Sequence, residues 1–246
     1  MRSSASTTAQ FSIAAKNDPG ITLLGSLRTI LGWAFLGIAG NVINDAVDKD
    51  HETGWHVKEL AAIALGSLAL SLLCFIDAVI ANPVNAAWIV IAIVLVLSYN
   101  VGLKKIPLAS GFLQVLAEVC MPYFTIHVPS TPIEWLWLVA LYFFGVLSQF
   151  MHEAIDKEAI TKRFTPAQVR TIVFLFSILV LGAGSLLFLL TLDMNILPIA
   201  FVPVACIYIF RVPRTSAASN IKNVGIILGN FFMIYFLVLI LASLAA

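Results

Sequence analysis

Charge is what this sequence has least of. Lys and Arg number 14 and Asp and Glu 13 among 246 residues, together 11%, where a soluble domain carries about 25%. A water-soluble fold of this length has too little interior for a chain that is 61% hydrophobic. That excludes a soluble enzyme, a nucleic-acid binder and a disordered scaffold. Cysteine is also scarce: Cys74, Cys120 and Cys206 lie far apart inside apolar segments and read as packing residues rather than a disulfide framework or a metal site. Residues 1–20 lack the apolar core of a cleavable signal and read as a tail, followed by a membrane domain over 21–246. What the chain does have is long apolar runs and a mean hydropathy of +1.00. It is expected to be an integral, multi-pass membrane protein.

A spanning helix needs about 20 mostly apolar residues. Eight segments qualify: Ile21–Ile43, Leu60–Ala81, Pro83–Leu103, Pro107–Val128, Ile133–Met151, Thr171–Leu192, Asn195–Phe210 and Asn223–Ala246. The runs are continuous and lack the alternation of barrel strands, so the expected fold is an all-α polytopic bundle. After residue 45, every Lys and Arg falls in 45–59, 104–107, 153–170 or 211–222, while the three intervening connections carry none. The positive-inside rule places the charged connections toward the cytoplasm. A loose internal repeat accompanies this pattern. Asp45 precedes Tyr99 and a basic pair, and Glu153 precedes Tyr208 and two arginines at nearly the same distance, which suggests two four-helix halves.

Two acidic clusters fall on the expected cytoplasmic face. Asp45, Asp48 and Glu52 are spaced three and four residues apart, so a continuing helix stacks their carboxylates on one side. Such crowding is unfavourable unless a cation sits among the acids. Acids at a helix C-terminus also oppose the helix dipole. Glu153 and Asp156 repeat the three-residue step at the end of the fifth span. Hard oxygen ligands select Mg²⁺, which is commonly shared between carboxylates and phosphate oxygens. The pair of clusters therefore suits a diphosphate with one Mg²⁺ at each.

Asn44-Asp45-x-x-Asp48-x-x-x-Glu52 resembles the first aspartate-rich motif of the UbiA superfamily of intramembrane prenyltransferases. Glu153-x-x-Asp156 is similar to its second motif, and Ser98-Tyr99-Asn100 through Lys104-Lys105-Ile106-Pro107 to the segment between them. The resemblance covers roughly residues 21 to 246. The first motif ends the first span here, where the family has it end the second, and Thr53–Lys58 stands in place of its Asn-Arg-Pro-rich stretch. The likeness implies Mg²⁺-dependent transfer of a prenyl group from a prenyl diphosphate to a lipophilic acceptor, aromatic or lipid, within the membrane. It implies metal ligation by Asp45, Asp48, Glu52, Glu153 and Asp156, with Asn44 orienting a ligand or the diphosphate. Lys104, Lys105 and Arg170 are candidates for diphosphate charge, Asn100 for substrate binding, and Tyr99, Tyr123 and Phe150 for the walls around an allylic cation.

Gln114 and Glu118 lie four apart inside the fourth span. Glu118 is either a base or acceptor-binding group, or a neutral carboxyl hydrogen-bonded to a neighbouring helix. Arg28, inside the first span, reads as a snorkelling side chain, and Asp77, Glu134 and Asp193 as surface groups at outer helix ends. Competing readings are a membrane terpene cyclase working on the same diphosphate, and a transporter or non-catalytic lipid-binding relative.

Overall fold

The structure, a computed structural model, describes residues 19–48, 56–156 and 159–213, with Ile234 and Val238. The described residues form helices joined by short turns and loops, with no strand among them. Among the described residues, five helices are long and apolar enough to cross a membrane: α1 (Pro19–Asp48), α2 (Val57–Ala81), α3 (Val84–Val101), α6 (Pro132–Asp156) and α8 (Pro166–Thr191). At 1.5 Å per residue they measure about 27 to 45 Å, against a hydrocarbon core of about 30 Å. The protein is an integral membrane protein built of helices.

Two of the eight expected spans take another form. Pro107–Val128 is interrupted. A 3₁₀ turn at Leu103–Lys105 leads into α4 (Ala109–Val115), a π-helical turn at Leu116–Cys120, and α5 (Met121–Ile126). The cause is Pro122, which has no N–H to give the preceding turn and whose ring crowds the carbonyl four residues back; the wider π turn absorbs the misfit. Asn195–Phe210 divides likewise into a 3₁₀ stretch, Met194–Ala200, holding Pro198, and the short α9 (Phe201–Ile209), with Pro203 in its first turn, where proline is tolerated. The expected span Asn223–Ala246 lies outside the described residues except for Ile234 and Val238; of the tail expected over 1–20, residues 1–18 lie outside them, while Pro19 and Gly20 open α1.

The chain forms two compact units. One contains α1 to α3 and Met121–Val128, and the other Lys104–Cys120 and the helices from Pro129 onward. In the first unit, α1 meets α2 at Gly32. A Cβ there would come within 2.7 Å of the Phe75 ring, so only glycine allows the approach. Ser71 Oγ donates to the Gly32 carbonyl at 2.8 Å, and Trp33 stands edge-on to Phe75. The Trp33 indole N–H donates to Thr125 Oγ1 at 2.8 Å, tying α5 to α1. Asn85 Nδ2 donates to the Ala78 carbonyl and closes the turn between α2 and α3.

In the second unit, α4 and α6 run antiparallel. Gly111 seats against Phe150, Gly145 against Val115 and Val119, and the Tyr142 hydroxyl donates to the Phe112 carbonyl at 3.1 Å. Phe112, Phe143, Phe150 and Phe176 form an aromatic core with ring centroids 5.1 to 6.1 Å apart. Glu134, in the first turn of α6, accepts the N–H groups of Ser130 and Thr131 and so caps that helix end. Between α6 and α8 lies the short α7 (Ala159–Arg163). Thr165 and Gln168 make a capping box at the start of α8, with Pro166 in the first turn.

Candidate functional site

In each unit one of the expected acidic clusters begins at a helix end. In the first unit, Asn44, Asp45 and Asp48 end α1, and Tyr99 and Asn100 end α3. These ends are level because α3 packs on α1 one turn earlier. Gly40 abuts Val96, and Asn100 Nδ2 donates to the carbonyls of Gly40 (3.3 Å) and Val96 (3.0 Å). Asn100 therefore spends its amide nitrogen on helix packing. Its Oδ1 is buried without a hydrogen-bond partner. Asn44, Asp45 and Tyr99 are half-buried. Glu52 and the side chain of Asp48 lie outside the described residues.

In the second unit, Glu153 is fully buried, 0% exposed, in the last turn of α6. Burying a carboxylate is costly unless hydrogen bonds or a cation meet it. The Gly111–Phe150 contact fixes its level. One turn beyond Phe150 on α6 corresponds to the stretch just before α4, the Leu103–Leu108 bend with Lys104 half-buried and Lys105 exposed. The buried acid and the basic bend thus share one end of the unit. Gln149, buried, and His152, half-buried, occupy the same turns of α6. The side chain of Asp156 lies outside the described residues.

Gln114 and Glu118 meet where α4 passes into the π turn. Gln114 Nε2 donates to Glu118 Oε1 at 2.8 Å, and Gln114 Oε1 is buried without a hydrogen-bond partner. Single π turns recur at functional sites, so the irregularity draws attention to this pair. Phe150, expected as a cavity wall, is fully buried between Phe112 and Phe176, and Tyr123 packs edge-on to His127 in the other unit. Arg170 lines a groove on α8, with its guanidinium 5.1 Å from the Phe174 ring.

Sequence reasoning missed one contact. Arg28 donates to Asp77, an exposed ion pair joining the start of α1 to the end of α2. Opposite charges at the same end of two consecutive spans were the available signal. Cys120 and Cys206 are buried and Cys74 half-buried, all three as free thiols.

Carboxylate and amide oxygens are the hard donors that Mg²⁺ takes, so the buried Glu153 and the unbonded Asn100 oxygen suit such an ion at either helix end. Among the described residues no three His, Cys, Asp or Glu side chains converge on one point. The fold and these ends define a polytopic helical membrane protein with acid-bearing helix termini. Compared with protein-family models, curated proteins and solved structures, the chain matches none.

Proposed function

We propose that this chain is an intramembrane prenyltransferase of the UbiA type, moving a prenyl group from a prenyl diphosphate to a lipophilic acceptor. The observation that carries the reading is Glu153, a carboxylate fully buried at the end of a membrane-length helix and level with the Lys104–Lys105 bend. An acid so placed suits a metal ion, and lysines at the same end suit an anion. The first motif supplies a similar set, with Asp45 and Asp48 closing α1 beside Tyr99 and Asn100. In this reading the chain crosses eight times, in two halves, with Pro107–Val128 and Asn195–Phe210 crossing as broken helices, and both acidic ends face the cytoplasm.

Asp45, Asp48, Glu52, Glu153 and Asp156 would hold Mg²⁺, which supplies charge neutralisation of the departing diphosphate. Lys104 and Lys105 add fixed positive charge to that end, and Asn44 orients a neighbouring ligand or the diphosphate. Gln114 and Glu118, bonded to each other inside the membrane, supply the polar contact for an acceptor in an otherwise apolar wall.

The test is diphosphate release by the purified chain from a panel of labelled prenyl diphosphates, with and without Mg²⁺, and with and without a membrane lipid extract. A prenylated product that needs both Mg²⁺ and the extract, and that disappears in Asp45→Ala and Glu153→Gln, supports the proposal. A cyclic hydrocarbon or alcohol formed without the extract replaces it with a terpene cyclase. No release from any donor removes the enzymatic reading in favour of binding or transport.

A further inference from the structure

Beyond its first two turns α8 is apolar nearly all round, yet its two faces differ in the folded chain. Val169, Val173, Phe176, Val180 and Leu187 are buried and pack within the unit. The opposite face carries a groove of about 440 Å³, open to the surroundings, which falls within the roughly 300–1,000 Å³ of ligand pockets. Arg170 and Thr171 line its upper end, while Phe174, Leu175 and Ile178 line it further along. From Arg170 to Ile178 is about 12 Å along the helix, so the groove passes from a cation to hydrocarbon over the depth of a headgroup and the first part of a chain.

Arg170 is half-buried and its guanidinium lies over the Phe174 ring, which holds the charge along the groove. Among the described residues no carboxylate pairs with it. The same unit adds Lys162 and Arg163, exposed at the end of α7, and Arg211, exposed and stacked at 3.8 Å on Tyr208. Pro213, two residues beyond Arg211, also lines the groove. Aromatic and basic residues of this kind mark the headgroup level of a membrane, where basic pockets attract anionic lipid.

We infer that this groove binds an anionic membrane phospholipid, its phosphate on Arg170 and its first acyl carbons along Phe174, Leu175 and Ile178. The groove lies on the face of α8 opposite its buried residues and has none of the acidic helix ends in its lining. Bulk lipid already surrounds a groove on this face, and the positive charges select among headgroups.

The full-length protein is purified in detergent, and binding of dioleoyl phosphatidylglycerol and dioleoyl phosphatidylcholine is counted by native mass spectrometry. The wild type should retain phosphatidylglycerol preferentially, and raised NaCl should weaken that preference. Arg170→Gln should lower phosphatidylglycerol affinity by about fivefold, the effect expected for removing one cation near an anionic surface, and leave phosphatidylcholine unchanged. Arg170→Lys should keep most of the affinity. Equal retention of the two lipids by wild type, a preference indifferent to salt, or an Arg170→Gln protein that binds phosphatidylglycerol normally overturns the inference. So does displacement of phosphatidylglycerol by farnesyl diphosphate in an Arg170-dependent manner, which makes the groove a substrate site.

Discussion

Thr125 offers a sharp test of how α5 is held. Its hydroxyl accepts the Trp33 indole N–H at 2.8 Å and donates to the Pro122 carbonyl at 2.8 Å, in a place where both Trp33 and Thr125 are at least nine-tenths buried. Thr125→Val keeps the shape and removes both bonds. It leaves the indole N–H without its acceptor, a loss of about 1–3 kcal/mol for a buried donor. Bonds between membrane helices measured by double-mutant cycles average about 0.6 kcal/mol and reach about 1.7, so the Trp33–Thr125 coupling itself should fall in that range. The excess of the single-mutant loss over the coupling then reports the cost of the orphaned groups. The assay is reversible unfolding in bicelles for wild type, Thr125→Val, Trp33→Phe, the double mutant and Thr125→Ser. Thr125→Ser should restore most of the stability because it restores both bonds. If Thr125→Val is as stable as Thr125→Ser, the hydrogen bond does not hold α5 to α1.

Other outcomes follow from single contacts. Gly32→Ala drives a methyl group into the Phe75 ring and should cost about 1–3 kcal/mol in the same unfolding assay, with Phe75→Leu recovering part of the loss. Glu134→Ala removes the acceptor of two N–H groups at the start of α6 and should cost about 1 kcal/mol, while Glu134→Asp costs less. Tyr142→Phe loses the bond to the Phe112 carbonyl and should destabilise by about 0.6 kcal/mol, leaving the protein's oligomeric profile on a sizing column unchanged.

Five of the long helices were legible because a continuous apolar run of 18 residues or more has few other uses in a chain this poor in charge. The breaks at Pro122, Pro198 and Pro203 were visible as prolines but not as architecture. A proline in an apolar run is compatible with a kinked span or a divided one, and neighbouring helices decide which. The acidic ends at Asp45 and Glu153 were legible as spacing, whereas the complete burial of Glu153 depends on what packs around α6. Asn100 was read as a group for substrate. That its nitrogen is spent on the Gly40 carbonyl is a tertiary fact, carried by the close approach of α1 and α3 at Gly40. On α8 the sequence beyond the first two turns is apolar nearly all round, so no period distinguishes the packed face from the groove of Arg170.

The ion pair of Arg28 and Asp77 bears on how the protein is made. An unpaired arginine or aspartate in a helix entering the membrane costs about 2.5–3.5 kcal/mol at the centre of a span. α1 is also the least apolar of the five long helices. Its partner charge is synthesised 49 residues later, which at about 5–20 residues per second is a wait of roughly 2–10 s. During that interval α1 carries its arginine alone, held at the interface or beside the insertion machinery. Once α2 emerges, the two charges cancel and the helices can enter lipid as a hairpin. The pair therefore joins α1 and α2 in a way that favours their entering lipid together, as a hairpin.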